Sequence, residues 1–182
     1  QTKDGYIGLM KVGNQPNSLV KFNFNGQIQW MLEYDHPEME SESFNDIIEL
    51  ADSSLLISGT GSYTISQYVS YIKPLRLNIS PNGNIINFQI LYLDNDSVSG
   101  AVDNQTIEST SGRLFTAGTT FLSWQSMRKY SLNELNPVNY QFGIMSDSHS
   151  LCWLENNTIA ISGSSSTPGT GQGIFDVSII DT

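Results

Sequence analysis

The chain is poor in basic residues, in cysteine and histidine, and in long apolar runs. Eight Lys and Arg stand against eighteen Asp and Glu, for a formal charge of −10. A surface of that sign argues against nucleic acid as a partner, since cationic side chains supply most of that affinity. It equally disfavours anionic membrane surfaces. No apolar stretch approaches the ~18 residues of a membrane-spanning helix, so no membrane insertion is expected. Cys152 is the single cysteine, which rules out an internal disulfide and a cysteine-based zinc site. Within Leu151-Cys152-Trp153-Leu154 it reads as a small buried hydrophobe. The two histidines, His36 and His149, lie far apart, and neither sits in an H-E-x-x-H or nucleophile-elbow context. No phosphate-binding glycine loop is present either. No catalytic residue, cofactor site or metal site is assigned on these grounds.

What the chain does have is an internal repeat. Leu55-Leu56-Ile57-Ser58-Gly59-Thr60, Leu114-Phe115-Thr116-Ala117-Gly118-Thr119 and Ile159-Ala160-Ile161-Ser162-Gly163-Ser164 share one pattern. Each is a short apolar run, a small residue, then glycine. Each follows a polar turn (51–54, 110–113, 155–158) that is itself preceded by a strand-like run, so each is half of a hairpin. A second series interleaves with the first. It runs from Leu19 through Lys21 and Asn25-Gly26 to Trp30, then from Leu75 through Arg76 and Asn82-Gly83 to Phe88. A looser third copy carries Lys129, Pro137 and Tyr140. Asn-Gly favours tight hairpins because both residues tolerate positive φ. The motif glycines recur 59 and 45 residues apart. Units of roughly 50 residues with four short strands each are the signature of propeller blades.

The sequence therefore predicts an all-β protein, a β-propeller of four-stranded antiparallel blades, with a twisted β-sandwich as the alternative. The expected blades are 27–78, 84–132 and 138–181, with a partial one over 5–24. All belong to a single repeat domain spanning 1–182. Three and a half blades cannot close a ring, and the chain begins with Gln1. It is expected to be part of a larger propeller, completed by the remainder of that propeller or by another protein chain.

The run from Leu19 to Trp30, followed by Leu55 to Thr60, resembles the repeats of bacterial-type seven-bladed propellers of cell-surface proteins. More loosely it resembles quinoprotein-type repeats that end in G-x-x-x-W. Phe88 and Tyr140 replace that tryptophan in the later copies. The resemblance implies a fold and leaves function to the site.

On function, the expectation is a non-enzymatic extracellular module for protein interaction or scaffolding. The alternatives are a propeller-enzyme fragment (quinoprotein-like oxidoreductase or glycan-cleaving) and a glycan-binding lectin. Lys21, Arg76 and Lys129 recur mid-strand and are expected to pair with carboxylates or lie along apolar surface. Trp30, Phe88 and Tyr140 are expected to pack between blades. Residues 35–42 concentrate carboxylates in a solvated loop, with glycoside hydrolysis or calcium as weaker readings. Asp94-Asn95-Asp96 resembles the start of a calcium loop without its later ligands. Four N-x-[ST] sequons, at Asn78, Asn95, Asn104 and Asn156, point to secretion. Strand alternation collects the longer connections (35–43, 61–68, 93–103, 164–173) at one end, where insertions of repeat proteins often bind. Glu38, Glu40, Glu42, Tyr63 and Tyr68 are the contact candidates there.

Overall fold

A computed structural model of the chain describes residues 1–11, 16–37, 39–66, 69–91, 101–109, 111–120, 125–130, 138–142, 146–154, 158–166 and 173–181. The described residues form antiparallel strands with no helix. β1 (Gly5–Met10), β2 (Asn17–Asn23) and β3 (Ile28–Tyr34) make the first sheet. β4 (Ser41–Glu49), β5 (Leu55–Ser66), β6 (Val69–Ile79) and β7 (Ile85–Ile90) make the second. β8 (Ala101–Glu108), β9 (Leu114–Thr120), β10 (Gln125–Tyr130) and β11 (Val138–Phe142) make the third. β12 (Ser146–Trp153), β13 (Thr158–Ser166) and β14 (Gly173–Asp181) make the fourth. Within every sheet, strands neighbour in chain order.

These sheets begin one strand later than the expected blades. Residues 27–34 pair with β2, not with β4, and the shift repeats along the chain. The reason lies in the glycine turns. Gly26 and Gly83 have φ of +78° and +84°, and each closes a tight loop. Gly26 N–H donates to Asn23 O at 3.0 Å, and Gly83 N–H to Ser80 O at 2.9 Å. So short a hairpin forces its two strands into one sheet. The passage between sheets falls in the longer connections instead.

Among the described residues, three apolar clusters fill the spaces between consecutive sheets. Leu19, Tyr34, Leu55, Ile57, Leu77 and Ile79 join the first sheet to the second, with Trp30 and Phe88 packed against them. Leu50, Leu56 and Leu114 join the second to the third. Phe115, Ala117, Leu151, Ile159 and Ile161 join the third to the fourth. Strand alternation produces these stripes, since every second side chain faces the neighbouring sheet. Alternation also corrects the reading of Cys152, which is exposed while Leu151 is buried and Trp153 half-buried.

The repeated glycines have a definite task. In β4, β8 and β12 one residue is bulged out of register: Asn45, Asn104 and His149. Directly before each bulge the partner is a motif glycine, in the pairs Phe44↔Gly59, Asp103↔Gly118 and Ser148↔Gly163. A Cβ on Gly59 would overlap the Ser43 carbonyl and stand 2.9 Å from Phe44 Cα. Gly8 holds the matching place in the first sheet, because Ile7 pairs with Lys21 as Ser58 pairs with Arg76. Among the described residues, no strand lies beyond β1, and a Cβ on Gly8 meets nothing within 4 Å.

The two glycines should consequently respond differently to alanine. Gly59→Ala is expected to lose about 1–3 kcal/mol, the usual range for overpacking. Gly8→Ala should be neutral or stabilising by up to about 1 kcal/mol through the unfolded chain. Urea unfolding of both variants decides this, and equal losses would refute the bulge–glycine account.

Candidate functional site

The first strands of consecutive sheets, β4, β8 and β12, pack against one another, and polar side chains join them at two repeated positions. The first is the residue just after the bulge. Asp46 Oδ2 accepts the Thr106 N–H at 2.7 Å. One sheet further on, Gln105 Oε1 accepts the Leu151 N–H at 2.5 Å and the Ser150 hydroxyl at 2.8 Å. Thr106 and Leu151 each stand two residues after their own bulge. A first strand is a sheet edge with outward-pointing N–H groups, and these side chains cap them. The bulge makes this possible by turning the following side chain toward the next sheet.

The second position precedes the first hairpin turn of each sheet. Glu49 Oε2 accepts the Lys3 N–H at 2.6 Å, and Glu108 Oε2 accepts the Ala51 N–H at 2.9 Å. Trp153 takes this place in β12 and donates its Nε1–H to Glu108 O at 3.0 Å. Both carboxylate positions were visible in the sequence. Asn45-Asp46-Ile47-Ile48-Glu49 and Asn104-Gln105-Thr106-Ile107-Glu108 repeat one pattern, which the sequence analysis did not single out.

Between the two positions lies a chain of buried hydroxyls. Ser58 and Thr106 are 2.7 Å apart, and Thr106 and Thr116 are 3.1 Å apart. Burial, foremost, raises the Asp46 carboxyl above its ordinary range, against the pull of the Thr106 and Ile47 N–H groups. The arrangement binds one sheet to the next. Among the described residues no group of three or more His, Cys, Asp or Glu is placed to hold a metal ion.

Three of the expected contact residues fall among the described residues. Glu40 is exposed, its backbone N–H bonded to Ser62 O at 2.9 Å. Glu42 is 3% exposed and cannot be a surface contact. Its Oε1 instead accepts the His36 N–H at 2.6 Å. Burial, with the Glu42 charge second, pushes the Tyr34 hydroxyl up to about 12. Tyr63 lies inside β5, paired with Tyr71, because β5 and β6 run on as a long hairpin where a loop over 61–68 was expected. Glu38 and Tyr68 lie outside the described residues.

Among the sequon residues, Asn78 is 7% exposed and its Oδ1 is buried without a hydrogen-bond partner. A glycan cannot be accommodated there. Asn104 is the bulged residue of β8. Asn95 and Asn156, and with Asn95 the calcium-like stretch at 94–96, lie outside the described residues. Of the recurring cations, Lys21 is buried and pairs with Asp4 at 2.9 Å. The Lys21 hydrogen bond is the main cause holding the Asp4 carboxyl below its usual value. Arg76 is also buried, beside Leu56 and Asn78, while the Lys129 side chain is outside the described set. Trp30 and Phe88 pack between sheets as expected, and Trp30 Nε1 donates to Pro81 O at 2.9 Å.

No protein-family model matches the chain, and no curated protein matches it significantly in sequence. Solved structures do share its fold. One is a protein of unknown function from Bacteroides caccae, 9% identical with a TM-score of 0.55 over 99% of this chain. Another, from Dyadobacter fermentans and also of unknown function, is 12% identical with a TM-score of 0.60 over 96%. A third is an endo-arabinase from Bacteroides thetaiotaomicron, 8% identical with a TM-score of 0.57 over 98%. The chain spans 62%, 51% and 75% of those proteins respectively.

The Asp46 tie carries a signed pH dependence. A carboxyl raised by burial holds its proton more tightly in the native than in the unfolded chain. Its contribution to stability therefore falls as pH rises from its ordinary value of 3.8 toward the raised native one. Asp46→Asn keeps an acceptor for Thr106 and should abolish that part of the slope. Asp46→Ala should lose about 1–3 kcal/mol by orphaning a buried N–H. Urea midpoints of the three proteins from pH 3.5 to 7 test this. A wild-type curve that gains on Asp46→Asn with rising pH would contradict it.

Proposed function

We propose that the chain is a run of blades from a larger β-propeller, serving as a non-enzymatic module for protein interaction or scaffolding outside the cell. The observation that carries this reading is the repeated tie between first strands. Asp46, Gln105, Glu49 and Glu108, the polar groups at the repeat's own positions, are engaged in joining sheet to sheet. Consecutive antiparallel meanders, with β8 in contact with β4 on one side and β12 on the other, support blades around a common axis. The remainder of the propeller, or another chain, completes the ring. Exposed Glu40 is the proposed partner contact among the described residues, and Glu38, Tyr63 and Tyr68 remain candidates from the sequence. The extracellular placement rests on the sequons at Asn95, Asn104 and Asn156.

The scaffolding reading has a direct test. The chain should melt weakly or associate alone, because a terminal blade lacks a neighbour. Co-expressed with the flanking polypeptide that the proposal requires, it should form a 1:1 complex with a higher, cooperative Tm, seen by light scattering and calorimetry. A cooperative monomer indifferent to that polypeptide would refute it. Release of reducing ends from arabinan or another polysaccharide by the completed protein would refute the non-enzymatic half.

A further inference from the structure

The two Glu ties described above are the same contact made at successive sheet junctions, yet the residues that complete them differ. At the first junction the N–H donor to Glu49 is Lys3; at the second the donor to Glu108 is Ala51. Each donor is the first residue of its turn, following Thr2 and Leu50, which are both buried. The Lys3 side chain reaches across to the next sheet's turn. Its Nζ donates to Ala51 O at 3.2 Å and to Ser53 Oγ at 3.1 Å. Asp52 lies close enough to that ammonium for the charge to help lower its carboxyl, after the Ser54 hydrogen bonds that are the main cause.

At the second junction no described residue plays the part of that lysine. Ala51 stops at Cβ. The turn it faces carries Gly112 where the other turn carries Ser53, and both residues have positive φ, +75° and +67°. An open cavity of about 210 Å³ results, lined by Leu50, Ala51, Asp52, Glu108, Gly112 and Leu114. Leu50 and Leu114, 5% and 1% exposed, are its apolar lining, and Asp52 and Glu108 are its acidic lining, with Asp52 Oδ1 accepting from the Ser54 N–H and hydroxyl. Glu108 uses Oε2 on Ala51, and its Oε1 lies toward Gly112, 4.0 Å from where a Cβ would be. An aliphatic stem over an apolar floor with an ammonium among carboxylates is how a lysine side chain lies best. The chain's charge of −10 favours the same sign of ligand.

We propose that this groove, at the short-turn end of the second and third sheets, binds a lysine side chain presented by a partner polypeptide, with the Asp52 and Glu108 carboxylates in place of the carbonyl and hydroxyl that hold Lys3 at the preceding junction. The inference is independent of the propeller reading, and it places a contact at the end opposite Glu40. The five heavy atoms of a lysine side chain beyond Cα are the group the cavity has room for.

The probe is Nα-acetyl-lysine methylamide, titrated against the full chain with methyl-labelled leucine. Saturable shifts confined to Leu50 and Leu114 are expected, with Nα-acetyl-norleucine methylamide giving much smaller ones. Glu108→Gln, which keeps the acceptor for Ala51, should weaken binding about threefold, the effect of one exposed charge. Ala51→Lys should place the occupant in cis, shifting both leucines before any probe is added and abolishing the response to it. Full probe binding to Ala51→Lys would overturn the proposal. Should that variant not fold, the wild-type titration decides alone: no lysine-amide response, or an equal one from the norleucine amide, overturns it.

Discussion

Stacking of the sheets depends on a bulge in β4, β8 and β12, each set against a glycine in the strand that follows it. An extra residue at Asn45, Asn104 or His149 bends the strand and turns the next side chain outward. Only glycine lets the neighbouring strand stay close beneath it, as the overlap at Gly59 shows. From that local geometry follow the aim of Asp46 and Gln105 and the capping of the next edge. Without the bulge the post-bulge side chains would point to the other face of the sheet, since a one-residue slip exchanges the faces of a strand.

Apolar burial and polar ties divide the work between them. A fully buried Leu or Ile contributes about 1.5–3 kcal/mol, a hydrogen bond about 0.5–1.5 kcal/mol net. The inter-sheet clusters of leucine and isoleucine therefore supply most of the cohesion. That packing alone is tolerant of sliding, because one aliphatic ridge resembles another. The ties at Asp46 and Gln105 are not tolerant: a shift leaves a buried N–H and a carboxylate or amide unmatched. They fix how the sheets are set against one another more than how strongly they adhere.

The strands and their repeat were legible in the sequence because alternation, Asn-Gly and the recurring glycine are local signals. Sheet boundaries were not, although the turns that set them were in view. Asn25-Gly26 and Asn82-Gly83 were recognised as hairpin turns but placed between blades, and a hairpin of that length admits no such break. Glu42 read as surface because it ends an acidic run. What buries it is contact with His36 and the first sheet, which no local pattern reveals. The ties join residues 45 to 60 positions apart, and only the paired Asn-x-x-Ile-Glu stretches of β4 and β8 hinted at them.

Repetition also separates architecture from individual function. Positions shared by the copies, the glycine and the bulge, are occupied by the demands of stacking, and the glutamate before the turn spends one of its two oxygens on the tie. Freedom lies where the copies differ. Lys3 against Ala51 and Ser53 against Gly112 change no strand and no tie, yet one junction is bridged by an ammonium while the next is left open between two carboxylates. A repeat fold can acquire a binding groove in this way without disturbing its core. The search for function in such a chain is therefore best directed at the departures from its repeat.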